Sequence, residues 1–196
     1  MVYISEISEN YSINLLTLAI FPFTTKKGEL FSEIYEGNQS IICSLPPKEI
    51  INRNCIELGC SYDGKKTGTR ALMNYSYKVP IAIDAFSICL FPTHSPSHIS
   101  CSWISVSPIV EVKKIGSLQT NIIFKNNVEI TVSVSHHSIT NQISRSNALL
   151  KKVNHNLEKK NSSSFFIKSE HKNKKGMEGE KCKEDNILYP EDYEEN

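Results

Sequence analysis

Apolar and polar positions alternate most regularly near residue 130, where Val128, Ile130, Val132 and Val134 are interleaved with Glu129, Thr131 and Ser133. A period of two predicts a strand with one core face and one solvated face. Thr120 to Phe124 precedes it across Lys125-Asn126-Asn127, so the two segments predict a hairpin. Upstream, Ile81 to Asp84, Ser87 to Phe91, Cys101 to Val106 and Val110 to Ile115 are strand candidates broken by Pro, Ser and His. Residues 13–20 are almost continuously apolar, which predicts a strand buried on both faces. Phe31 to Tyr35 and Ser40 to Ser44 flank Glu36-Gly37-Asn38-Gln39 and predict a second hairpin.

Helical spacing appears elsewhere. Pro46-Pro47 opens a segment with Ile50, Ile51, Ile56 and Leu58 on it, and Gly59 closes it, the order expected of a helix. A short helix over Thr67 to Tyr75, capped by Thr67 or Thr69, is predicted next. Ile139, Ile143, Leu150, Val153 and Leu157 form an apolar stripe over about Ser138 to Lys160, with Arg145, Lys151, Lys152 and Lys159 largely off it. That stripe predicts core packing, and its basic face a solubilising surface or a second phosphate contact. Strand-rich middle and packed helices define an α+β class: a single domain, an antiparallel β-sheet with packed helices, over residues 11–160. Residues 1–10 read as a flexible leader. Residues 161–196 combine a Ser run, a Lys run and an acidic end, which predicts a disordered C-terminal tail. Two apolar islands in it, Phe165-Phe166-Ile167 and Ile187-Leu188-Tyr189-Pro190, have the form of docking motifs.

Charge sharpens this picture. A formal net charge of +1 over 196 residues conceals a basic stretch, Lys48, Arg53, Lys65, Lys66, Arg70 and Lys78, and an acidic one beyond residue 176. A local basic footprint suffices for a nucleic-acid partner. No apolar run approaches the ~18–20 residues that span a bilayer, and Glu6 and Glu9 stand where a signal peptide carries basic residues. The expectation is a cytoplasmic protein with no membrane partner. Its six cysteines then read as reduced thiols packed as small hydrophobes. A zinc site from Cys55 and Cys60 with His94, His98 or Cys101 is the sharper alternative, but the first pair is spaced more widely than C-x2-C. His136–His137 reads as loop or cap.

The chemistry concentrates between Cys55 and Arg70. Gly64, Lys65, Lys66, Thr67, Gly68, Thr69 and Arg70 read as a glycine-jointed loop with amide, hydroxyl and cationic donors for a phosphate ligand. Gly59, Gly64 and Lys65 match the start of a P-loop, G-x-x-x-x-G-K-[ST]. Lys66 then occupies the place of the Mg²⁺-binding hydroxyl, and a helix rather than a strand precedes it. Pro80 likewise weakens Val79 to Asp84 as a Walker B strand. A degenerate nucleotide binder, a solvated basic turn and a protein-interaction module without DNA binding stand beside the nucleic-acid reading.

Several separated segments, in order and at matching spacing, resemble the ComK competence transcription factors of Gram-positive bacteria. They are Arg53-Asn54-Cys55, Gly59 with Ser61-Tyr62, Gly64-Lys65-Lys66-Thr67-Gly68-Thr69, Pro80-Ile81 with Asp84, and Leu90-Phe91-Pro92-Thr93. Cys101 with Trp103-Ile104-Ser105, and Asn141-Gln142 ahead of Arg145, continue the series over roughly residues 12–155. The resemblance implies an activator of DNA-uptake genes that binds paired AT-rich boxes as a homo-oligomer through the minor groove and recruits RNA polymerase machinery. It implies no catalysis, and no cofactor or metal is expected. A narrow AT-rich minor groove attracts inserted Arg and Lys. Lys65, Lys66 and Arg70 are therefore the expected DNA contacts, Arg70 deepest, with Thr67, Thr69 and Asn74 as polar donors. In the tail, Ile187, Leu188, Tyr189 and Pro190 resemble the motif by which an adaptor delivers the family's members to a Clp protease. Glu191 follows, where the family pattern prefers a basic residue.

Overall fold

The computed structural model describes residues 7–84 and 87–173. Nine strands and three helices follow in the order β1 (Thr17–Thr24), β2 (Leu30–Glu36), β3 (Gln39–Cys43), α1 (Pro47–Glu57), α2 (Tyr62–Met73), β4 (Ile81–Ala82), β5 (Cys89–Pro92), β6 (Trp103–Ser105), β7 (Ile109–Lys114), β8 (Thr120–Phe124), β9 (Glu129–Val132) and α3 (His136–Asn173). Strands β3-β2-β1-β6-β5-β4 form one antiparallel sheet and β7-β8-β9 a second. The α+β class is as the sequence pattern predicts. All strands lie in the first compact unit, residues 1–157; the second unit, 158–196, is described only as far as its helical residues to Asn173.

The larger sheet is buried on both faces. One face packs Ile20, Ile34, Leu90 and Trp103 against Ile50, Ile51 and Cys55 of α1 and Tyr62 of α2. The other packs Ala19, Cys89, Phe91 and Ile104 against Ile122, Phe124, Ile130 and Val132 of the small sheet and Ile139 and Leu149 of α3. Consecutive residues such as Leu90 and Phe91 thus enter different cores, which explains the unbroken apolar runs. In β9, Ile130 and Val132 are buried while Glu129 and Thr131 are exposed, the predicted alternation.

Four boundaries depart from expectation. The first strand starts at Thr17, not residue 13, because Leu15 and Leu16 lie exposed in a turn. Asn14 closes that turn, its Oδ1 accepting from Leu16 N at 2.8 Å and its N–H donating to Thr17 Oγ1 at 3.0 Å. Ser8, assigned to a loose leader, bridges Cys43, and its backbone bonds Ile42 and Ser44. Helix α3 runs past Lys160 to Asn173. Once nucleated, a helix adds a hydrogen bond with each residue, and no Gly or Pro interrupts residues 136–173. The expected tail therefore begins as helix, and Ile187 to Pro190 lie outside the described residues. The fourth correction concerns the candidate site.

Candidate nucleic-acid interface

The segment read as a glycine-jointed loop is helical: α2 begins at Tyr62 and contains Gly64 and Gly68. Ser61 starts it, its Oγ accepting from Gly64 N at 3.1 Å, and Asp63 sits in the first turn where the helix dipole favours a carboxylate. Each interior Gly costs about 1 kcal/mol against Ala. Burial of Tyr62, whose ring meets Trp103 edge-on at 5.9 Å, opposes that cost. The preceding helix ends in a Schellman motif: Gly59 has φ 80°, Cys60 N bonds Cys55 O at 3.1 Å, and Gly59 N bonds Ile56 O at 2.8 Å. A helix–turn–helix approach in place of strand–loop–helix removes the P-loop geometry.

Placing α2 on a helix sorts the expected contacts by direction. Tyr62, Lys66 and Arg70 follow at i, i+4 and i+8, so they share one face. Together with Lys48 of α1, the segment Ser76, Tyr77, Lys78 and Val79, and Ser95, Pro96 and Ser97, they line a groove of about 450 Å³. Lys48 and Lys66 hold their ammonium groups 5.6 and 5.4 Å from the Tyr62 ring centroid. Burial, then Asp63, pushes the Tyr62 hydroxyl up to about 12, so the ring is neutral between its two cations. Lys66 also pairs with Asp63 at 2.9 Å, and that bond and charge hold the exposed Asp63 carboxyl below its usual value. Such an exposed pair stabilises little and exchanges readily for a phosphate. Arg70 donates to Ser76 O at 2.9 Å from an exposed position.

The other expected contacts face elsewhere. Lys65 is turned inward: its Nζ donates to Ala82 O at 3.0 Å and Ile83 O at 2.6 Å, tying α2 to strand β4. Thr69 is buried, while Thr67 is exposed and does not line the groove. Asn74 takes the left-handed conformation (φ 55°) that ends α2, its N–H bonding Arg70 O. Lys48, Tyr77 and Lys78 are groove residues that local sequence reasoning did not assign to the site. Lys48 and Lys78 lie in the basic stretch, which was the available signal; nothing local marked Tyr77.

Residues from α3 hold the loop after α2. Buried Gln142 donates to Lys78 O at 2.8 Å and Pro92 O at 2.9 Å, and its Oε1 accepts from Arg145 at 2.9 Å. Arg145 also donates to Tyr77 O at 2.7 Å and stacks over Tyr75 at 4.2 Å. Its guanidinium is committed within the chain. Nearby, His94 and His98 stack at 5.3 Å; burial, followed by Lys78 and His98, lowers the His94 pKa below the usual histidine value. Cys55 is buried and Cys60 exposed, and among the described residues no three His, Cys, Asp or Glu side chains gather at metal-binding distance. Among the described residues, no helix is long and apolar enough to cross a membrane.

Fold and groove define an α+β protein with a cationic, aromatic-edged groove. The ComK protein family matches residues 8–158, and the chain belongs to that family. A relative named competence transcription factor, from Bacillus subtilis (strain 168), is 31% identical over 167 residues, covering 83% of this chain and 86% of its own. No solved structure matches the chain.

Proposed function

We propose that the protein is a transcriptional activator of competence that binds double-stranded AT-rich DNA along the groove between α1, α2 and the 76–79 segment. One observation carries this reading: Lys48, Lys66, Arg70 and Lys78, from three separate segments, converge on one concave surface. Like charges brought together disfavour the unbound fold, and a polyanion relieves that repulsion. Membership of the ComK family and the name of the Bacillus subtilis relative support the regulatory role.

In this reading Lys66 and Lys48 grip phosphates, while Arg70, held by one nitrogen on the Ser76 carbonyl, turns its remaining donors to the narrow AT-rich minor groove. Thr67 and Asn74 add polar contacts at the outer face and end of α2. Lys65 and Thr69 support the helix without touching DNA. The protein acts by binding, without catalysis or a cofactor. It works as a homo-oligomer in the cytoplasm, on the nucleoid, and contacts the RNA polymerase machinery. Ile187, Leu188, Tyr189 and Pro190 offer a Clp-protease adaptor its docking motif.

Gel shifts of the full chain on duplexes with two A-tract/T-tract boxes at varied spacing test this function. A shift is expected that survives GC-rich competitor and weakens sharply with salt. Displacement by equal amounts of GC-rich and AT-rich competitor would remove the claimed selectivity, and no shift at any salt would leave a protein-interaction module.

A further inference from the structure

Tyr77 is 83% exposed, the greatest exposure of any large hydrophobic residue described, yet its backbone is fixed on both sides. The carbonyls of Ser76, Tyr77 and Lys78 accept in turn from Arg70, Arg145 and Gln142, at 2.9, 2.7 and 2.8 Å. Asn74 and Lys78, at its flanks, both have positive φ, 55° and 45°, which is uncommon outside glycine. Three successive carbonyls are held by side chains of the same chain, while the Tyr77 side chain faces out. An exposed aromatic alone is ordinary. Here it stands on a backbone tied to two helices and lines the groove that gathers four cations.

Resting on the DNA-binding reading of that groove, we propose that Tyr77 is a wedge residue that enters a base step of the bound duplex. Side chains inserted from the minor groove unstack a step, and pyrimidine–purine steps such as TA open most readily. The cations hold the phosphates on either side, and the tethered backbone gives the ring a fixed point of entry with little ordering left to do on binding. Planar and aromatic, the ring stacks on a base face. Tyr77 thereby selects for deformable steps inside an AT-rich box, a preference that phosphate contacts cannot supply.

The test places 2-aminopurine, one position at a time, at the TA steps of a duplex bearing two AT-rich boxes, and follows its fluorescence and binding with the full chain. Wild type is expected to raise the emission at one step per bound groove. Tyr77→Ala should abolish that rise and weaken binding about tenfold, within the range of one aromatic–base stack, with the salt slope unchanged. Tyr77→Phe should keep both properties. The position is exposed, so unchanged circular dichroism is expected and separates the effect from misfolding. Salt-sensitive binding by wild type with no rise at any step overturns the wedge and leaves the groove reading intact. Equal emission and affinity for Tyr77→Ala do the same. Failure of wild type to bind any duplex removes the groove reading and the wedge with it.

Discussion

Lys65 and Lys66 are neighbours in sequence with opposite surroundings. One residue turns a helix by about 100°, enough to send Lys65 into the Ala82 and Ile83 carbonyls and Lys66 toward the groove. A charged donor shared by two carbonyls contributes to folding, and removing it leaves both acceptors underused. Lys65→Met keeps the aliphatic stem and is expected to lower the unfolding free energy by about 1–3 kcal/mol. DNA affinity should stay within about twofold of wild type, where one lost phosphate contact costs more at low salt. Urea denaturation and fluorescence anisotropy check the two halves. Unchanged stability with a large loss of affinity would return Lys65 to the interface. Residue types in this stretch signalled a phosphate ligand, but the sequence alone did not say which lysine turned inward, since that depends on β4 lying alongside. Thr69 shows the same limit: its hydroxyl read as a donor for phosphate, and packing buries it.

At the scale of elements, α2 is where sequence reading and structure part most. Two glycines and two lysines obscure the starting signals present, Ser61 followed by Asp63 in the first turn. The sequence therefore places a loop over 64–70 and a helix only from Thr67, capped there or at Thr69, where one helix capped by Ser61 runs from Tyr62 to Met73. The glycines differ in consequence. A Cβ on Gly64 would meet Cys60 Sγ at 2.6 Å, so Cys60 would have to rotate away. A Cβ on Gly68 would meet nothing within 4 Å. Gly68→Ala is therefore expected to stabilise the protein by roughly 0.5–1 kcal/mol, read as a higher urea midpoint with an unchanged m-value. A loss of stability would contradict a helical α2. Elements with a strong period fared better: the Gly37 turn, the 120–134 hairpin and the Pro47-to-Gly59 helix fall where predicted. Short strands β4 and β6 fall inside the strand candidates Ile81 to Asp84 and Cys101 to Val106, whose ends are set too wide because two or three residues carry no period.

Across the first unit, the doubly buried larger sheet makes the groove possible. Helix α1 brings Lys48, α2 brings Lys66 and Arg70, the segment leading to β4 brings Lys78, and Ser95 to Ser97 follow β5. Sequence separation hides this convergence; only the antiparallel order of the strands joins residue 48 to residue 97. Buried Asn54 fixes α1 to the chain leading into β1: Ile13 N donates to its Oδ1 at 2.7 Å, and its Nδ2 donates to Tyr11 O at 2.8 Å. Gln142 joins the loop after α2 to β5 in the same manner. These buried amides explain, in physical terms, why the short matches at Asn54 and Gln142 accompany the basic segment.

The most direct measurement of the central claim is the salt dependence of DNA binding for wild type and for Lys48→Gln/Lys66→Gln/Arg70→Gln/Lys78→Gln. All four positions lie at the groove surface, so the variant should melt close to wild type. Each lost phosphate contact removes about 0.9 from the slope of log K against log salt. With Lys48, Lys66 and Lys78 on phosphates and Arg70 in the minor groove, the variant's line should be shallower by about 3 units. Parallel lines, with equal affinity, would show that DNA binds elsewhere or not at all.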